Sequence, residues 1–532
     1  MWLLVVLFLG AFGIRMWQIT APPLDFHSGR QYRAASIARG FYVRGNDSLP
    51  DWEREIGRLN QFQDGLLEPP MLELITAAMW RLSGGERLWM PKTLASICWL
   101  IGGWFLFRLA RRFLLPTASL LALAVYLFIP YGILNSRSFQ PEPIMVMGLI
   151  VALDLIYRHR LEPSRRNLTL AIVASAAAMF VKPTCVFAIF AAFGLLHVER
   201  DGWARTLKSR GIYVFGTLSL LPCIVYYGWG LLTVDKLQNQ ADVSFILALW
   251  FDAEFWTRWL EMIGRTAGIV LVGLALWSLR LLNKGPQRAL LVALFVSYAL
   301  YGLTFNYHIH THDYYSLQLV PTMSLGLGPA LACLLGWAGK QWAISKWRIL
   351  IPVALVAAIP VGGIVWLKSG NLKSVDERIK DRIESSLLLF GMSSKVFMFV
   401  NPDYYGFARR AEIEKNVGDV VGHTPSAIML TPDLGLSLVY NAQISGIFWP
   451  DEASIRADRI KGEPEMTAAE RFQSKYAGKG FEYFIITDFG ELEKQPDLKP
   501  FLDKTFALHA FDENSHLVYR LKAPSPDTSP QP

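Results

Sequence analysis

Runs of apolar residues close to twenty long, each bounded by charge, recur along this chain, and about that length lets an α-helix cross roughly 30 Å of hydrocarbon. The runs cover residues 2–19, 92–109, 116–134, 144–157, 168–181, 183–197, 212–232, 266–282, 288–305, 317–336 and 348–367, so about eleven membrane helices are expected. With 52% hydrophobic and only 18% charged residues among 532, the composition excludes an ordinary soluble protein. Residues 2–19 lack a basic start and a small-residue cleavage site, so they read as a retained first span and not as a secretion signal.

The loops supply an orientation. If the first span leaves the cytoplasm, one set of short loops carries Arg108, Arg111 and Arg112; Arg158, Arg160, Arg165 and Arg166; Arg200, Arg205, Lys208 and Arg210; Arg280, Lys284 and Arg288; and Lys340, Lys346 and Arg348. The opposite short loops hold Arg137, Lys182 and no Lys or Arg between residues 306 and 316. That asymmetry is the positive-inside bias, and it accounts for the net charge of +8 without invoking nucleic acid. Cys98, Cys185, Cys223 and Cys333 all lie in apolar stretches without metal-site or redox spacing, and read as small core residues.

Two regions stand outside the spans. Residues 20–91 form a first external loop with helical apolar spacing at 34–43 and 71–82, expected to lie at the membrane interface. Residues 1–368 thus form a membrane domain. Residues 369–522 read as an extracytoplasmic α/β domain, with strand-like runs at 396–400, 427–430, 483–487 and 517–521 and a helix near 467–478. The Pro- and Ser-rich residues 523–532 are expected to be a disordered tail.

Ionisable residues at membrane depth are expensive and mark functional sites by default. Here they gather at the outer ends of the spans. The first external loop holds Asp25, His27, Arg30, Gln31 and Arg33, and later Glu68 before Pro69 and Pro70; the second holds Arg137, Gln140 and Glu142; the third is Lys182-Pro183; the fifth runs His308, His310, His312, Asp313, Tyr314, Tyr315. Carboxylates, cations and histidines meeting at the outer membrane surface suit group transfer from a lipid-linked phosphate. A partly buried carboxylate can take a hydroxyl proton near neutral pH, and Arg or Lys can hold a departing phosphate. Displacement at a sugar C1 passes through an oxocarbenium-like state, and a single displacement inverts the centre. The alternating histidines would share one side of an extended segment, which allows either a divalent-metal site or a hydrogen-bonded loop. Asp25 could equally cap a helix, Glu142 between two prolines could be structural, and Arg39 fits a lipid headgroup or a salt bridge.

At these residues the chain resembles the lipid-phosphate-sugar-dependent membrane glycosyltransferases of the GT-C fold, glycosyltransferase family 39 among them, which include protein O-mannosyltransferases and the lipid A aminoarabinose transferase. The resemblance spans nearly all of residues 1–370 and rests on Asp25, Arg30-Gln31 ahead of Ile37-Ala38-Arg39, Glu68-Pro69-Pro70, the loop from Ser136 to Glu142, Lys182-Pro183, and His312-Asp313-Tyr314-Tyr315. It implies a polytopic α-helical membrane enzyme with an extracytoplasmic C-terminal domain, set in the inner or plasma membrane. Such an enzyme inverts a monosaccharide as it moves it from a polyprenyl-phosphate donor to an extracytoplasmic acceptor. It further implies Asp25 and Glu142 as catalytic acids, Arg30, Gln31, Arg137, Lys182, Tyr314 and Tyr315 as donor contacts, and Glu68 as a contact of a divalent metal ion, to which His310 and His312 would add if the alternating histidines form a metal site. The chain departs from its relatives where many carry an acidic pair at the positions of Arg30 and Gln31. The rival readings are a lipid-linked-glycan flippase, which calls for paired repeats and midplane charges, and an inactive partner subunit.

Overall fold

The computed structural model describes residues 2–65, 67–233, 237–238, 244–347, 350, 387–392, 395–460 and 464–521. The expected span 348–367 apart from residue 350, the expected boundary at 368 and the tail 523–532 lie outside the described residues. The chain divides into two compact units, one of residues 1–19, 67–71 and 91–400 and one of residues 20–66, 72–90 and 401–532.

The first unit is helical. Its principal helices are Trp2–Met16, Trp89–Ala110, Pro116–Phe128, Pro130–Ser136, Glu142–Leu161, Arg165–Val181, Val186–Asp201, Arg210–Thr233, Ala253–Ala267, Ile269–Trp277, Pro286–Thr304 and Leu319–Ile344. Five helical segments among the described residues are long and apolar enough to cross a membrane, and up to seven if each bent pair is one span. A multi-pass membrane protein follows. One expected straight span is broken, and another is entered through a sharp turn from a helix outside the expected spans. Pro130 bars Ile129 from the helical region, so residues 116–136 bend by 58°. Gly268, at φ 80°, turns the chain by 84° between Ala253–Ala267 and Ile269–Arg280. A Cβ at Gly268 would stand 2.6 Å from the backbone nitrogen of Gly391, so only glycine fits.

Charges inside this unit are matched, as low-dielectric burial requires. Arg15 is fully buried and donates to Ser136 Oγ at 2.6 Å and Leu127 O at 3.0 Å. Asp154, also fully buried, is held by Arg108 and by Arg112, the latter at 2.9 Å.

The second unit carries a five-stranded sheet in the order β2-β1-β3-β5-β4, from β1 Ala427–Leu430, β2 Gly446–Phe448, β3 Tyr483–Ile486, β4 Ala507–Asp512 and β5 His516–Arg520. The first three strands are parallel and β5 and β4 antiparallel. Side chains alternate across the pleat, so each strand feeds two cores. Ile428, Leu430, Phe484, Ile486 and Tyr519 pack with Trp449 and Leu498, while Ala427, Met429, Ile485 and Val518 pack with Val417 and Leu438. The helix near 467–478 is Ala468–Lys475, started by a capping box between Thr467 and Glu470.

The same unit takes in the first loop as three helices, Ser28–Val43, Asp51–Asp64 and Met71–Ser83. Arg39 forms a bidentate pair with Glu86 at 2.8 Å, donates to Tyr440 O at 2.6 Å and lies 3.8 Å over the Tyr440 ring. Of the two roles open to Arg39, the salt bridge is the one present. Burial would lower its pKa, but the Glu86 carboxylate carries it above the ordinary value. The run at 396–400, expected as a strand, is the helix Lys395–Val400 and belongs to the helical unit. Its Phe399 ring packs 4.6 Å from the Arg137 guanidinium; that tertiary contact outweighs a weak alternating pattern.

Candidate active site

Lys182 ends the helix Arg165–Val181 because Pro183 forces the residue before it into extended backbone, at φ −153° and ψ 118°. Its side chain turns inward and is 6% exposed. The ammonium lies 2.6 Å from Glu142 Oε1 and 3.8 Å from Glu68 Oε1. Glu142 opens the helix Glu142–Leu161, where a carboxylate meets the positive end of the helix dipole. The Tyr314 and Tyr315 rings stand 5.3 and 5.1 Å from the same ammonium, within reach of cation–π attraction.

The aromatic wall continues through His308, stacked on Tyr315 with centroids 4.9 Å apart and planes 7° from parallel. Its Nε2 bonds Ser244 Oγ at 3.0 Å. Asp313 is fixed beside this wall: Tyr131 donates to Oδ1 at 2.8 Å, Lys395 to Oδ2 at 3.1 Å, and Thr266 Oγ1 to its backbone carbonyl at 3.1 Å.

Lys182, Glu68, Ser244, His308 and Tyr315 share a cavity of about 340 Å³ with Leu67, Pro183, Leu231, Leu237 and Phe305. Such a lining accepts a ligand with one charged end and one apolar end. An unpaired ammonium at membrane depth would cost about 2.5 kcal/mol or more. The two carboxylates offset that cost.

Arg137 belongs to the helical unit but does not line this cavity; it donates to Gln18 O at 3.0 Å. Asp25, Arg30 and Gln31 belong to the sheet-bearing unit. Asp25 is 8% exposed. The N-cap position of the following helix is His27, in the left-handed region. Gln31 donates to Phe26 O at 2.6 Å.

His308 and His310 lie in the helix Asn306–Thr311 and not in extended chain, while His312 follows it in extended backbone. Residues two apart on a helix diverge by about 200°, so His308 and His310 take different partners. His310 Nδ1 meets Asn306 O at 2.7 Å and His312 Nδ1 meets Thr311 Oγ1 at 2.7 Å. Among the described residues no three of His, Cys, Asp or Glu are grouped so as to hold a metal ion.

Sequence reasoning missed Lys395, Ser244, Phe305 and Tyr227, which also lines the cavity. All lie in stretches without a motif; a lone lysine in a soluble-looking segment carries no signal that its partner is Asp313.

Comparison with known proteins agrees with this architecture. Residues 67–229 match the family described as dolichyl-phosphate-mannose-protein mannosyltransferase. No curated protein sequence matches the chain. Among solved structures, ArnT from Cupriavidus metallidurans bound to undecaprenyl phosphate superposes with a TM-score of 0.53 at 14% identity, over 97% of each chain. The archaeal oligosaccharyltransferase AglB from Archaeoglobus fulgidus, in complex with an inhibitory peptide and a dolichol-phosphate, gives a TM-score of 0.50 at 10% identity, over 97% of this chain and 73% of that one. The chain has the GT-C fold. Fold and family match together support a membrane glycosyltransferase.

Proposed function

We propose that this enzyme moves a monosaccharide from a polyprenyl-phosphate donor to an extracytoplasmic acceptor with inversion at C1. The observation that carries the reading is the Lys182 cavity, where a buried, carboxylate-paired ammonium shares walls with Leu231, Leu237 and Phe305. A prenyl phosphate has that chemistry. Lys182 meets the phosphate, and Tyr314 and Tyr315 flank the positive charge. Glu142 orients the ammonium. Glu68 limits the cavity and faces the sugar hydroxyls. Arg137, Arg30 and Gln31 are assigned as further donor contacts, and Asp25 as the base that takes the acceptor proton.

The relatives add weight by their ligands: one was captured with undecaprenyl phosphate and the other with a dolichol-phosphate. The test is purified full-length protein in lipid nanodiscs with a labelled polyprenyl-phosphate sugar, scored for release of the lipid phosphate. Release is expected from the native chain, and none from Asp25→Asn with an unchanged melting temperature. No release from the native chain with any such donor would sink the reading, and full activity in Asp25→Asn would remove Asp25 from it.

A further inference from the structure

We propose that the sheet-bearing unit holds a binding site of its own, for a neutral saccharide, in the cavity lined by Arg39, Glu53, Gly85, Glu86 and Gln443. The site goes beyond the transfer reaction and shares no lining residue with the Lys182 cavity. Its volume is about 450 Å³, a size usual for small-molecule sites. All of its lining residues belong to the unit of residues 20–66, 72–90 and 401–532.

Part of the lining is held rigidly. Arg39 is buried, pairs with Glu86 through two nitrogens at 2.8 Å and lies over Tyr440, whose hydroxyl donates to Glu86 Oε2 at 2.7 Å. Glu53, in the first turn of the helix Asp51–Asp64, accepts a hydrogen bond from Gln443. Gln443 ends the helix Leu436–Ala442 at φ 50°, a left-handed backbone that is costly for a residue with a Cβ. Burial raises the Glu53 carboxyl above its ordinary value against the pull of Arg39. A carboxylate deprived of water in this way gains from a hydroxyl that donates to it.

Two glycines keep the space open. A Cβ at Gly84 or Gly85 would meet no atom within 4 Å. Gly84, at φ 74°, is glycine for its backbone; Gly85 has neither a left-handed backbone nor a close neighbour to require one. What the missing side chain of Gly85 leaves is room in the cavity.

The chemistry of the lining selects the ligand. The carboxylates of Glu53 and Glu86 are matched in formal charge by Arg39 and Lys415, which favours neither an anion nor a cation. Carboxylate oxygens accept hydrogen bonds, while the ammonium of Lys415 and the amides of Asn441 and Gln443 donate them. A sugar hydroxyl does both, so adjacent hydroxyls bridge such a lining, and the C–H faces of the ring pack on Tyr42, Leu49 and Leu88.

The experiment is calorimetric titration of full-length protein in nanodiscs with the neutral trisaccharides of glucose, mannose and N-acetylglucosamine, and with the charged trisaccharides of glucosamine and galacturonate. At least one neutral trisaccharide is expected to bind, and more tightly than either charged one. Gly85→Leu, which fills the cavity, is expected to abolish that binding. Glu53→Ala is expected to weaken it about tenfold, as loss of a hydrogen bond to a charged group does. Melting temperature identifies the variants that fold as the native chain does, and each of those decides independently. Native affinity in either one, tighter binding of a charged trisaccharide, or no binding of any neutral one overturns the proposal. Because binding is read without the release assay, such a failure leaves the transfer reading standing.

Discussion

An ammonium 2.6 Å from a fully buried carboxylate is more than a candidate for phosphate binding; it holds that carboxylate in place. Removing one partner of such a pair strands a charge, typically at about 3–5 kcal/mol. Lys182→Met should lower the melting temperature accordingly, and Lys182→Met with Glu142→Gln should recover most of that stability without recovering transfer. Scanning calorimetry with the release assay separates the two effects; a double variant that regains activity would remove Lys182 from catalysis. Lys182 and Glu142 were legible in the sequence because each sits beside proline at a span end, where charge is expensive and backbone direction is fixed. The ion pair of Lys395 was not, since its partner Asp313 is 82 residues away.

Hydropathy finds the spans but hides their breaks, because a run of apolar residues reads the same whether the helix inside it is straight or bent. At the start of its run, Gly268 turns the chain through 84° with φ at 80° and Gly391 against its α-carbon. Gly268→Ala should therefore destabilise the protein by more than about 1 kcal/mol, seen as a lower melting temperature. Gly273→Ala, which meets nothing within 4 Å, should leave it unchanged. Equal effects at the two glycines would show that the bend is not what Gly268 protects. Pro130 announced its break; the glycine did not. In the sheet, β1, β3 and β5 were readable as apolar runs, while β2 has three residues and β4 is an edge strand with Leu508 and Phe511 exposed. Neither has the buried alternation that marks a strand.

The sheet-bearing unit is assembled from distant pieces of chain, residues 20–66 and 72–90 joining 401–532. Sequence reading separated these as a loop and a domain, because no local pattern reveals that Arg39 pairs with Glu86 and Tyr440 or that Asn60 donates to Ile444 O at 3.0 Å. Arg39→Leu leaves Glu86 without its cation. Limited proteolysis should then cut faster in residues 20–66 and in residues 401–521 together; acceleration in one region only would mean the two do not fold cooperatively. Synthesis adds a direction to this arrangement. Helix Ser28–Val43 emerges early and waits for Tyr440, which is made only after every intervening apolar helix has been threaded. The unit thus closes last and closes only on a correctly inserted chain, so a molecule with a skipped crossing would carry an unfinished, protease-sensitive first loop as its own mark of failure.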